Sequence, residues 1–188
     1  GNRLILVDNG MGNKQDAKFF SYYYLHGDDT LDKSLAKYGF HRDDITDVFL
    51  THLHFDHCGG SIIRDRDKLV PAFKNAVYWS NGEHWKTATN PNEREKASFL
   101  KENILPIQDS GQLKMVNGQL SIVNGRLPDV VSQIIPALTV KIVNGHTEAM
   151  MLPKIKCSDK TVVFMADLLP SQGHIPIPYI MAYDMQPL

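Results

Sequence analysis

Four side chains able to bind a metal ion, His52, His54, Asp56 and His57, fall within six residues of one another in the stretch Thr51-His52-Leu53-His54-Phe55-Asp56-His57-Cys58-Gly59-Gly60. They follow directly on Asp47-Val48-Phe49-Leu50-Thr51, a short run of β-forming residues, so a strand is predicted to deliver them. In extended chain the side chains of residues i and i+2 point the same way, which lets His52 and His54 grip one ion together. Asp56 and His57, one turn later, point elsewhere and can hold a second ion at the spacing of two-metal hydrolytic sites. Three imidazoles and a carboxylate crowded together would compete for protons and partners unless a cation organised them. Gly59 and Gly60 let the backbone turn tightly beside the group.

The rest of the chain is an ordinary frame for such a group. At 188 residues it is expected to form a single domain, and 43% hydrophobic with 22% charged residues is enough apolar material for a sizeable core. Charges of +20 and −21 leave a net −1, which gives no basic field for nucleic acid or an anionic membrane. Cys58 and Cys157 are too few for a disulfide framework, and no apolar run approaches the roughly 18 residues of a membrane span. A soluble, cytoplasmic protein is expected, acting on a small-molecule substrate, with a homodimer as the oligomeric form allowed for. The chain opens directly into a core strand, and Tyr183–Leu188 closes no visible element. Residues 1–188 therefore read as one incomplete domain, truncated at one or both ends.

Leu4–Val7 reads as a strand buried on both faces, stopped by the turn Asp8-Asn9-Gly10. Residues 15–25, rich in Phe and Tyr, fit a helix or a loop equally well. Thr30 is predicted to cap a helix that carries Leu31, Leu35 and Tyr38 and ends at Gly39. After Gly60 the chain is charged and irregular until a strand at Ala76–Trp79, then a helix capped by Ser80 and running through Trp85, then another over Glu93–Asn103. From Leu113 the period changes. Lys114–Val116, Leu120–Val123, Leu138–Val143, Met150–Leu152 and Thr161–Met165 read as five short strands. Two sheets with helices outside them, an α/β layered sandwich, accommodate this order.

The motif His52-x-His54-x-Asp56-His57 after a hydrophobic strand resembles the signature of the metallo-β-lactamase superfamily. Val7-Asp8-Asn9-Gly10-Met11-Gly12, Gly145-His146-Thr147 and Met165-Ala166-Asp167 resemble its other conserved stretches, and all occur in the family order from residue 4 to 167. The resemblance implies a four-layer αββα sandwich with two divalent metal ions between the sheets, zinc first and manganese or iron as alternatives. It implies that His52, His54 and His146 bind one ion, that Asp56 and His57 bind the other, and that Asp167 bridges. A last histidine usually follows well downstream; His174 comes too early to match, so that ligand is expected beyond Leu188.

The resemblance also implies a metal-dependent hydrolase that attacks with metal-bound hydroxide, Asp56 carrying the proton as general acid and base. Asp8 reads either as an acceptor for a ligand histidine or as a plain turn aspartate. Thr51 and Thr147 are expected to bond backbone only, Cys58 to be a small buried thiol, and His26, His41 and His84 to lie at the surface. The stretch Ala166–Asp184 resembles the branch holding N-acyl homoserine lactonases and organophosphate-degrading hydrolases, although Pro170 stands where part of the lactonase group has a tyrosine. His174, Tyr179 and Tyr183 are candidate substrate contacts, with core packing an equal reading for Tyr179. Lactones or esters lead as substrates. The alternatives are a β-lactam, thioester or phosphoester hydrolase, and a non-catalytic metal-binding scaffold.

Overall fold

A computed structural model describes residues 3–116, 129–131, 134, 136–176 and 181–185, with the backbone alone described at 129–131. In chain order the elements are β1 (Ile5–Val7), α1 (Ala17–Ser21), α2 (Leu31–Lys37), β2 (Asp47–Phe49), α3 (Phe55–Cys58), β3 (Ile62–Asp65), β4 (Lys68–Pro71), β5 (Val77–Ser80), α4 (Gly82–Thr89), α5 (Lys101–Asp109), β6 (Leu113–Met115), β7 (Asp129–Val131), β8 (Leu138–Val143), β9 (Met150–Cys157) and β10 (Lys160–Val163). The first sheet has the order β1-β2-β5-β6, all parallel, and the second the order β10-β9-β8-β7, all antiparallel.

Side-chain alternation explains the layering. In the parallel sheet Leu6, Val48, Leu50 and Tyr78 point to one face, where Leu31 and Leu35 of α2, Trp85 and Ala88 of α4, and Ile104 and Ile107 of α5 pack on them. Ile5, Val7, Phe49, Val77 and Trp79 point to the other face and meet Leu138, Val140, Ile142 and Met151 of the antiparallel sheet. The inward Leu138, Val140 and Ile142 alternate with the less buried Thr139, Lys141 and Val143. This is the α/β layered sandwich that the sequence predicts, and the described residues build a helical layer and both sheets. Among the described residues no helix covers the far face of the second sheet, and none is long and apolar enough to cross a membrane.

Thr30 caps α2, its hydroxyl accepting from Lys33 N at 3.2 Å. Several expectations are corrected. Ser80 ends β5 and does not cap α4; Asn81 does, its Oδ1 accepting from His84 N at 3.0 Å, and α4 runs to Thr89. The helix expected over Glu93–Asn103 lies at Lys101–Asp109, because Asn92 Oδ1 accepts from the backbone N–H of both Arg94 and Glu95 and winds that segment into turns. The irregular stretch after Gly60 is the hairpin β3–β4, whose exposed charges hid its alternation. Lys114–Val116 belongs to the parallel sheet through β6, β7 was not anticipated, and Leu120–Val123 lies outside the described residues. β1 is only half-buried.

Candidate metal centre

The histidine loop begins where β2 ends and the site assembles at that rim. Asp8 follows β1, His146 sits in the β8–β9 connection, and Asp167 lies in a 3-10 turn, Ala166–Leu168, after β10. A hydrogen bond from Met151 N to the Thr51 carbonyl, 2.7 Å, ties the two sheets together beside the site. The carboxyl ends of parallel strands are where α/β sheets commonly place ligands.

Ligand-type atoms of His52, His54 and His146 all lie within 4.8 Å of one another, and so do those of His52, His57 and Asp167. Each histidine is oriented by a partner on its other nitrogen. His57 Nδ1 donates to Asp8 Oδ2 at 2.8 Å and His146 Nδ1 donates to Asp184 Oδ1 at 3.2 Å. His52 Nδ1 is 3.0 Å from the Thr51 hydroxyl, which in turn donates to Asp8 Oδ2 at 2.7 Å. His54 is reversed, with Nε2 3.3 Å from Glu95 Oε1 and Nδ1 inward. The Asp167 oxygens face both halves, Oδ1 at 3.2 Å from His57 Nε2 and Oδ2 at 3.4 Å from His146 Nε2.

These donors fit a divalent cation. His52 Nε2 is buried with no hydrogen-bond partner. His54 Nδ1 and His146 Nε2 face each other at 3.0 Å although carboxylates take the proton on each ring's other nitrogen, so two lone pairs converge. Imidazole nitrogens and a carboxylate converging on a buried point form a donor set suited to zinc or a similar ion. Burial, reinforced by the neighbouring histidines, holds His52 well below the usual histidine range, and His146 is lowered by the same causes. Burial acts the same way on His57, but the hydrogen bonds with Asp167 and Asp8 outweigh it and raise this group to about 10. Asp8 and Asp167 thus face the two nitrogens of the His57 ring, one each.

Asp56 joins neither group. Its carboxylate is about half exposed (48%) and 3.7 Å from His57 Nε2, at the rim of a cavity of about 400 Å³ that opens onto His54, His146 and Asp167. Tyr183 lines that cavity, its ring edge-on to His146 with centroids 5.2 Å apart. His174 does not line it; its ring contacts the Ser171 hydroxyl at 2.8 Å. Tyr179 lies outside the described residues.

Other residues differ from expectation. The Thr51 and Thr147 hydroxyls bond side chains, Thr51 with Asp8 and His52, Thr147 with Glu95. His84 is not at the surface but fully buried, accepting from Leu53 N at 2.9 Å and donating to the Glu148 carbonyl at 2.6 Å, which straps the histidine loop to the His146 loop. Burial lowers it to about 4, so it stays neutral. His26 and His41 are exposed, and Cys58 is a buried free thiol donating to the Leu53 carbonyl at 3.3 Å. Glu95 and Asp184 escaped sequence reasoning, since an acidic residue in a charged run or a terminal loop carries no mark of burial.

Gly59 and Gly60 work by close approach. A Cβ on Gly60 would sit 2.3 Å from the Asn9 carbonyl oxygen, and one on Gly59 2.1 Å from that of Met11. The Asp8–Gly12 turn is thereby seated against the histidine loop. Gly60→Ala should push the two apart and destabilise the chain by about 1–3 kcal/mol, measured by denaturant unfolding; unchanged stability would show that the contact relaxes freely.

Comparison with known proteins follows the same line. The family described as the metallo-beta-lactamase superfamily matches residues 1–187. A probable metal-dependent hydrolase from Staphylococcus aureus superposes with a TM-score of 0.81 at 23% identity, covering 97% of this chain and 60% of that one. AidC, a dizinc quorum-quenching lactonase solved with a product, N-hexnoyl-L-homoserine, gives 0.62 at 25% identity over 89% of this chain and 53% of its own. The hydrolase AbOPH gives 0.61 at 23% identity over 90% and 53%. The chain therefore spans little more than half the length of these structures. No curated protein matches it.

Proposed function

Since the chain belongs to the metallo-beta-lactamase superfamily, we propose that it carries the metal centre of a hydrolase acting on lactones and esters, with N-acyl homoserine lactones as the leading substrate class. The observation that carries this reading is the pair of ligand groups sharing His52 and opening onto one cavity. His52, His54 and His146 would hold one ion and His57 the other, with Asp167 between them and Asp56 beside the second. When bound, such ions lower the pKa of water toward neutrality and polarise the oxygen of the scissile group.

The chain's own residues do the rest. Asp56, half exposed at the cavity rim, can take a proton from the attacking water and return it to the leaving oxygen. Tyr183 is kept protonated, its pKa raised by partial burial and by Asp167, Asp184 and Asp56, and offers a hydroxyl to a substrate carbonyl. Tyr23 and Phe55, rings tilted together with centroids 5.2 Å apart, give the cavity an aromatic wall against which an acyl chain can lie. Recognition of a polyphosphate would call for clustered Arg and Lys side chains, and Arg94 is the one such residue among the described lining residues.

The test is hydrolysis by the metal-loaded protein of a panel of N-acyl homoserine lactones, simple esters, β-lactams, thioesters and phosphotriesters. Preference for the first two supports the reading. Efficient turnover of β-lactams, thioesters or phosphotriesters with lactones and esters untouched assigns a different hydrolase, and no turnover of any by a fully loaded protein points to a metal-binding scaffold.

A further inference from the structure

Glu95 belongs to the charged run Glu93-Arg94-Glu95-Lys96, yet only 4% of it is exposed. A buried carboxylate needs partners, and this one has three: His54 Nε2 at 3.3 Å, Asn92 Nδ2 at 3.0 Å and the Thr147 hydroxyl. Its backbone is fixed as well, because Asn92 Oδ1 accepts from Glu95 N at 3.0 Å. A carboxylate can only accept, so His54 Nε2 carries the proton and Nδ1 keeps its lone pair. His52, His57 and His146 make the opposite choice, with Nδ1 held by Thr51, Asp8 and Asp184. His54 is the reversed ring of the cluster, and Glu95 faces the nitrogen that reverses it.

We propose, on the basis of the metal-centre reading above, that Glu95 is a positioning residue. It locks His54 in the Nε2–H tautomer so that Nδ1 meets the ion, and by taking the Thr147 hydroxyl it pins the loop that carries His146. One buried carboxylate thereby sets two of the three nitrogens of the first half-site. Both contacts converge on side chains from distant parts of the chain, residues 54 and 147, which a purely local cap on the Asn92 turn would not require.

The test combines zinc competition titrations with long-range nitrogen–proton NMR of the imidazoles in the zinc-loaded chain. In the wild type His54 should read as the Nε2–H tautomer. Glu95→Leu should weaken zinc binding by about 10- to 100-fold, and Glu95→Gln, whose amide oxygen still accepts, should fall between it and wild type. An Nδ1–H tautomer of His54 in the wild type overturns the proposal even if Glu95→Leu does not fold, and so does a folded Glu95→Leu that binds zinc as tightly as the wild type. His54→Ala separates the two levels. If it loses zinc while both Glu95 variants keep it, the role of Glu95 alone is wrong; if it binds zinc as tightly as wild type, the metal-centre reading itself fails.

Discussion

Replacing His52 by alanine is expected to empty the first half of the centre and to weaken the second, whose ligand atoms it borders. His52 belongs to both ligand groups, its Nε2 is buried without a partner, and its ring centroid lies 4.0 Å from that of His57 and 5.0 Å from that of His146. Losing a ligand should cost more than the roughly 10- to 100-fold in affinity typical of a supporting residue. A bound ion supplies several kcal/mol of transition-state stabilisation, and each 1.36 kcal/mol is tenfold in rate, so hydrolysis should fall by at least about 10³-fold. Elemental analysis of the purified variant checks the first statement and single-turnover kinetics the second. Because His52 is fully buried, a melting curve on the same sample separates metal loss from unfolding. Lys160→Ala, on the exposed strand β10, should keep its metal; equal metal content in the two variants would remove His52 from the ligand set.

Asp56→Asn should behave differently. The carboxylate stands outside both ligand groups, so the first half-site should remain loaded while turnover drops by about 10²–10⁴, the usual cost of losing general acid or base catalysis. Substrate binding should suffer less than turnover, since asparagine keeps the shape. Metal occupancy has to be read in the same sample, because Asp56 lies close to His57 and its loss can weaken the second ion. If the variant retains both metal and wild-type turnover, the proton passes through another group, and Tyr183 is the next one on the cavity wall.

The parts of the fold legible in the sequence were those in which one local rule acted unopposed. The Thr30 cap with its leucines gave α2, and the β-branched run Leu138–Val143 gave β8. Boundaries failed where a side chain competed with the backbone, as Asn92 did by winding turns where a helix was expected. The hairpin β3–β4 was hidden because Arg64, Asp65 and Lys68 face solvent. At the site, His52, His54 and His57 were legible because their spacing is itself chemical information, and His146 and Asp167 through their resemblance to family stretches. Glu95, Asp184 and His84 were not, since their roles exist only once residues 38 or more apart meet: Glu95 with His54, His146 with Asp184, His84 with the Glu148 carbonyl.

Zinc titration into the metal-free chain, wild type beside His146→Ala, tests most directly whether these side chains form one metal centre. Two ions are expected per wild-type chain, with the tighter event lost in the variant because His146 Nε2 faces both His54 Nδ1 and Asp167 Oδ2. A wild type that binds no zinc, or a variant that binds it with unchanged affinity and stoichiometry, would contradict it.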